Sequence, residues 1–248
     1  MRLFLKNRLA FLGAHIQMVL DGEEALAALA ERHPTLILSD AVMPRMDGFE
    51  LCRQVKKDPG LAAIPFLLLT SLSQNLRERS LQVGADDYLS KSENDLIFRI
   101  RMRLMLEIGL RGAPRAAEGL PAAPSSILVV SKSRAIQTQL LTHLSKDGIQ
   151  VLGVSSPGEV LNHLQAKGAD ALLIDMEQGP DALEVLLGNL RNDPAFAAIP
   201  IMALASKAEE LHLSSVELDV QDRLLKPLDG PESRHRIKLL LRLAKTTV

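Results

Sequence analysis

Short apolar runs alternate along the chain with segments in which apolar residues recur every three or four positions. That pattern predicts strands alternating with helices. It is clearest in the carboxyl-terminal half, where Ile127-Leu128-Val129-Val130 reads as a buried strand and Ile136, Leu140, Leu141 and Leu144 follow at helical spacing. Ile149 to Val154 predicts a second strand, and Ser156-Pro157-Gly158-Glu159 has the form of a capping box with proline at the first helical position. Further strands are expected at Ala171–Ile174, Ile201–Leu204 and near Leu224. Helices are expected around Leu183–Leu190 and over Glu232–Ala244, with a weak helix between the last two strands. Such alternation implies a parallel sheet covered by helices on both faces.

The amino-terminal half repeats this plan. Asp58-Pro59-Gly60-Leu61-Ala62-Ala63-Ile64-Pro65 returns as Asp193-Pro194-Ala195-Phe196-Ala197-Ala198-Ile199-Pro200, an offset of 193 − 58 = 135. The same offset carries Gly13 to Gly148, Val19 to Val154, Leu26 to Leu161, Asp40 to Asp175, Lys91 to Lys226 and Arg99 to Arg234. A period this long leaves room for a separate core in each copy, so it marks a duplicated domain rather than a solenoid unit. The Gly-, Ala- and Pro-rich stretch 109–125 lacks a consistent apolar face and reads as a linker between domains at 1–108 and 126–248.

Composition narrows the function classes. Across 248 residues, 29 basic and 30 acidic side chains leave a net charge of -1, which gives no electrostatic reason to expect nucleic acid or an anionic membrane as partner. Aromatic residues make up 3%, too few for base-stacking platforms. The single cysteine, Cys52, excludes an internal disulfide and reads as an inert packed thiol. Apolar runs are strand-sized and the first residues lack a signal-peptide core, so a cytoplasmic location is expected.

One motif carries chemistry. Ser39-Asp40-Ala41-Val42-Met43-Pro44-Arg45-Met46-Asp47-Gly48 follows the apolar run Leu36-Ile37-Leu38, which places Asp40 at a strand end, where open α/β sheets expose their sites. This segment closely resembles the phosphoacceptor loop of bacterial response-regulator receiver domains. Leu67-Leu68-Leu69-Thr70-Ser71 and Gly84-Ala85-Asp86-Asp87-Tyr88-Leu89-Ser90-Lys91 resemble the segments that end in the receiver Thr/Ser and Lys. The resemblance covers both copies. It implies an α/β fold of two flavodoxin-like (βα)5 receivers with sheet order 2-1-3-4-5, in a two-component signalling protein. In that family Asp40 would accept a phosphoryl group from a histidine kinase or phosphotransfer protein, Lys91 would supply an ammonium and Thr70 a hydroxyl donor. Val42 would offer its carbonyl to Mg²⁺, and Tyr88 would be the aromatic switch. Self-association through receiver faces is a further partner class that the resemblance implies.

The chain departs from the family in both copies. By the offset, Ile127–Val130 maps to positions before Met1, so the first copy lacks its first strand and the acidic pair that follows it. The gap falls between strands expected around Ile16–Val19 and Leu36–Leu38. Mg²⁺ needs several oxygen ligands, so weak or absent binding at Asp40 is expected. In the second copy Ser131 and Lys132 stand where the acidic pair belongs, Ala205 replaces the Thr and Arg223 the aromatic, while Asp175, Lys226 and Pro227 remain. That copy reads as a degenerate receiver in which Lys132 neutralises Asp175. In the first copy Ser92 replaces the proline after Lys91.

The remaining features are read as structural. None of the six histidines lies in a metal-ligand motif. Arg99, Arg101 and Arg103 form a solvated face more readily than a partner stripe. No GG[DE]EF string, GxGxxG or P-loop occurs, so the chain is not expected to be an enzyme. The pairing of receivers nevertheless resembles the regulatory half of receiver-receiver diguanylate cyclases. A phosphorylation-independent receiver-fold adaptor and a regulatory fragment of such a cyclase stay open as alternatives.

Overall fold

A computed structural model describes residues 2–71, 74–112, 125–209 and 219–244, with no side chain described at 2–4 and 74. Most of the expected linker, most of the weak helix and His212 lie outside the described residues. The chain divides into two compact units, Met1–Arg115 and Ala116–Val248.

Unit 1 carries a three-stranded parallel sheet, β1 (Ile37–Asp40), β2 (Phe66–Thr70) and β3 (Asp87–Ser90), in the order β1-β2-β3. Around it lie helices α1 (Arg2–Leu9), α2 (Gly22–Glu31), α3 (Gly48–Lys57), α4 (Gln74–Gln82) and α5 (Asp95–Leu110). Leu29, Phe49, Leu51, Cys52, Val55, Phe66 and Leu68 form a core on one face. Cys52 is buried there, its sulfur 3.8 Å from the Val83 carbonyl, which agrees with a packed thiol. Acceptor side chains start the helices: Asp21 caps α2, Asp47 caps α3 and Asn94 caps α5.

Unit 2 carries five parallel strands, β4 (Ser126–Val130), β5 (Gln150–Val154), β6 (Ala171–Asp175), β7 (Ile201–Ala205) and β8 (Asp222–Leu225). Their order is β5-β4-β6-β7-β8, which is 2-1-3-4-5 within the unit. The helices are α6 (Arg134–Leu144), α7 (Val160–Lys167), α8 (Pro180–Asn192) and α9 (Gly230–Ala244). Ile127, Val129, Leu140, Leu144, Leu173, Met202, Ile237 and Leu240 belong to its core.

Several expectations need correction. Ile16–Val19 is not a strand: no described strand lies beside it, and without a ladder partner an extended segment has nowhere to place its amides and carbonyls. Leu141, counted on the apolar face of α6, is exposed. Ser156 makes no side-chain cap; its hydroxyl bonds the Glu159 carboxylate at 2.7 Å instead, and Pro157 opens a 3-10 turn. Of the arginines of α5, Arg99 and Arg103 are exposed, as expected of a solvated face, and Arg101 is not. Arg101 is buried against Asp87 at 3.2 Å, and Arg99 and Arg103 lie over the Phe11 ring.

The repeated Asp-Pro run has a structural explanation. Asp58 and Asp193 each accept the amide two residues on, from Gly60 at 2.8 Å and Ala195 at 2.9 Å. A cation two residues earlier binds the carbonyls that follow: Lys56 reaches Ala62 and Ile64, and Arg191 reaches Ala197 and Ile199. The buried pair Arg101–Asp87 returns as Arg236–Asp222 at 3.8 Å. These matches sit away from the strand ends that bear Asp40 and Asp175 and hold the fold rather than the chemistry.

Candidate functional site

In unit 1 the register sets Asp40 beside Leu69 and Thr70 beside Ser90, so Asp40, Thr70 and Lys91 stand at the carboxyl ends of three adjacent strands. The Asp40 carboxylate accepts from Lys91 Nζ at 2.6 Å through one oxygen and from the Val42 amide at 3.0 Å through the other. Both partners reach solvent, with 34% of the Lys91 side chain and 19% of the Asp40 side chain exposed. Thr70 is buried, and its carbonyl accepts the Lys91 amide at 3.0 Å. Val42 is the most exposed large apolar residue described, at 74%. Tyr88 is partly buried, with the Arg77 guanidinium 5.9 Å from its ring centre.

The loop from Asp40 to Gly48 closes tightly. The Gly48 amide bonds the Ala41 carbonyl at 3.1 Å, and a Cβ on Gly48 would stand 2.1 Å from the Asp40 carbonyl oxygen. Only glycine fits there.

Arg45, at φ 56°, turns back onto the start of α2, where its guanidinium meets Asp21 at 2.5 Å and Glu24 at 3.1 Å. Burial pushes the Asp21 carboxyl up, but the Glu24 and Glu23 amides and the Arg45 guanidinium outweigh it and hold the group below its ordinary value. Arg45 and Asp21 were not reachable from the motif alone. The signal that could have marked them is the pairing of a capping Asp with a lone Arg inside the loop.

In unit 2 the matching carboxylate is sealed. Asp175 is fully buried, accepts Ser131 Oγ at 2.7 Å on one oxygen, and accepts Lys226 Nζ at 2.8 Å and the Glu177 amide at 3.2 Å on the other. Lys226 also meets Glu177 at 3.1 Å and Glu209 at 3.3 Å. Burial would lower the Lys226 ammonium, but the bonds to Asp175 and Glu177 and the field of Glu209 leave it pushed up to about 12. Ala205 is buried at the end of β7, and Arg223 is buried in β8. Lys132 is exposed and forms no ion pair with Asp175, so the neutralising ammonium is that of Lys226. Asp175 is buried within reach of the lysine that the fold delivers at the end of β8. Glu177 could have been found by the offset, since it replaces Val42.

Among the described residues no helix is long and apolar enough to cross a membrane, and no group of three or more His, Cys, Asp or Glu could hold a metal.

Comparisons with known proteins place this geometry. The family described as response regulator receiver domain matches residues 1–101. Response regulator PleD of Caulobacter vibrioides is 26% identical over 94% of this chain and 54% of its own length. Response regulator MprA of Mycolicibacterium vanbaalenii is 31% identical over 75% of this chain and 81% of its own. A signal receiver domain of a histidine kinase from Syntrophus aciditrophicus is 37% identical, covering 48% of this chain and 89% of that one with a TM-score of 0.39. The chain belongs to the response-regulator family. It spans about half the length of PleD, and a tenth of a matching histidine kinase, P4 of Formosa agariphila.

Proposed function

We propose that unit 1 is a phosphoacceptor receiver in which Asp40 takes a phosphoryl group from the phosphohistidine of a histidine kinase or phosphotransfer protein. Unit 2 is then a receiver-fold module that is not phosphorylated and works through protein contacts. The observation that carries this reading is the unequal access of two matching carboxylates. Both accept on both oxygens, but Asp40 keeps 19% of its side chain in solvent whereas Asp175 is fully buried.

In the reaction an Asp40 oxygen attacks phosphorus and the P–N bond to the donor imidazole breaks. The imidazole leaves with that electron pair and takes up a proton. Lys91 offsets the charge on the phosphoryl oxygens, and the Thr70 hydroxyl donates to one of them. Tyr88 is the side chain that would respond to a shift of Thr70.

Mg²⁺ is the cation that family membership implies. Asp40 and the Val42 carbonyl are two protein donors where an octahedral site calls for more, and the described residues do not fit the ion, so no step is routed through it. That shortfall favours a second reading, a phosphorylation-independent receiver-fold adaptor.

Intact-mass measurement after incubation with acetyl phosphate and Mg²⁺ separates the two. One added phosphoryl group, absent in Asp40→Asn, supports the phosphoacceptor; an unchanged mass in the wild-type chain selects the adaptor.

A further inference from the structure

We propose that Arg45 is a positioning residue that fastens the Asp40 loop to the amino-terminal end of α2, on the side of β1 where no described strand pairs with it. The inference deepens the phosphoacceptor reading, because the loop it fastens carries Asp40 and Val42.

The need for a fastening follows from the sheet. In unit 2, β6 is paired on both sides, with β4 and β7. In unit 1, β1 pairs with β2, and no other described strand joins it. Among the described residues β1 is therefore held by a ladder on one side only.

Contacts of Arg45 and Met46 hold that loop from the other side. The Arg45 guanidinium lies on the carboxylate of Asp21, a side chain only 1% exposed that also accepts the Glu23 and Glu24 amides at 2.9 and 3.2 Å. Arg45 also meets the carboxylates of Glu24 at 3.1 Å and Glu23 at 3.7 Å. The Gly22 amide bonds the Met46 carbonyl at 3.2 Å, and Met46 packs so closely on Gly22 that a Cβ there would fall 2.6 Å from Met46 Cγ. A buried acceptor with a charged, forked donor makes a fixed hinge rather than a loose surface pair.

The backbone points the same way. A φ of 56° is uncommon for a residue other than glycine, asparagine or aspartate, so the position is occupied by arginine against local preference. What it gains is the side chain.

Unit 2 has none of this apparatus. The offset replaces Asp21 by Ser156, Gly22 by Pro157, Arg45 by Pro180 and Met46 by Asp181. Pro157 has no amide to donate and Pro180 no charge. The clamp belongs to the unit whose strand is paired on one side only among the described residues.

The test is amide hydrogen exchange on the full chain without phosphodonor, comparing wild type with Arg45→Gly, Arg45→Lys and Asp21→Asn. Glycine suits the positive φ, so Arg45→Gly removes the cation without adding strain. Amides of residues 41–43 and 45–48 should exchange about tenfold faster in Arg45→Gly and Asp21→Asn, with Arg45→Lys between them and wild type, while β2 and β3 keep their protection. Acetyl-phosphate labelling of Asp40 should slow in Arg45→Gly with its dependence on donor concentration unchanged. Loop exchange in Arg45→Gly equal to wild type overturns the proposal. Faster loop exchange in a chain that never takes up phosphate keeps the clamp and rejects the phosphoacceptor reading instead.

Discussion

The two units are one plan executed around different neighbours. β6 of unit 2 is buried at every position, from Ala171 to Asp175, because β4 and β7 flank it. β1 of unit 1 carries the matching residues and buries only Ser39, because one flank has no described strand. The carboxylates at the two strand ends follow their strands. Asp175 is enclosed by Ser131, Lys226 and the Glu177 amide, while Asp40 meets Lys91 and the Val42 amide and still touches solvent. Both carboxylates meet the lysine of their own unit, Asp40 at 2.6 Å and Asp175 at 2.8 Å; unit 2 adds the Ser131 hydroxyl on Asp175 and the Glu177 and Glu209 carboxylates on the ammonium. Buried charge persists only when paired, and unit 2 completes the pairing internally.

The comparison breaks most visibly at the carboxylates. Asp40→Asn should abolish phosphoryl uptake from acetyl phosphate, whereas Asp175→Asn should leave it in place, read by intact mass. Uptake lost with the second substitution and kept with the first would reverse the roles of the units.

Next in size is a change that has a counterpart in each unit. Arg101 and Asp87 form a buried pair, and truncating Arg101 to alanine removes the guanidinium from a buried carboxylate that also accepts the Tyr88 amide at 2.7 Å. Unit 1 should lose roughly 3–5 kcal/mol. Arg236→Ala should weaken unit 2 by less, because its contact with Asp222 is longer, 3.8 Å against 3.2 Å. Urea unfolding followed by unit-resolved amide exchange measures both. Equal losses would show that the longer contact is no weaker.

The open flank of β1 offers a smaller and more specific effect. Fusing the Ser126–Val130 sequence and two aspartates ahead of residue 1 would present a strand like the one that flanks β6, with acids at its end. Mg²⁺-dependent labelling of Asp40 should rise about tenfold, since the ion would then have several carboxylate donors. Equal rates in the fused and unfused chains would show that labelling does not depend on those acids.

Much of this was legible in the sequence because it depends on period and spacing. The offset of 135 aligned both copies without a gap, and apolar runs marked β1, β2, β4, β6 and β7. The Asp40 loop, Thr70 and Lys91 were visible as types at strand ends. What could not be read depended on who sits beside whom. Ile16–Val19 has strand composition but no partner, and composition cannot report that. Lys132 lies next to Ser131 in sequence, yet its side chain is exposed, and the ammonium on Asp175 comes from Lys226, 51 residues away. The arginines of α5 looked equally charged in the sequence, but Asp87 buries one of them and Phe11 stacks two.

The finest test of the comparison is the pH dependence of the sealed pocket. Lys226 in the folded chain is pushed up to about 12 from an ordinary 10.5 by its carboxylate partners. A base whose folded value lies above its unfolded value adds stability in full below the unfolded value and loses it as pH rises through the folded one. The Lys226 contribution should therefore be constant up to about 10.5 and fade between there and about 12. Lys226→Met should destabilise unit 2 by a fixed amount at neutral pH, and the gap between variant and wild type should close across that alkaline window. Glu177→Gln, which removes one carboxylate from the ammonium, should move the closing to lower pH. Urea midpoints of both variants across the window give the answer. A gap that stays constant to the upper end would mean that Lys226 supports the pocket by packing rather than by charge, and that the two pockets differ in shape more than in electrostatics.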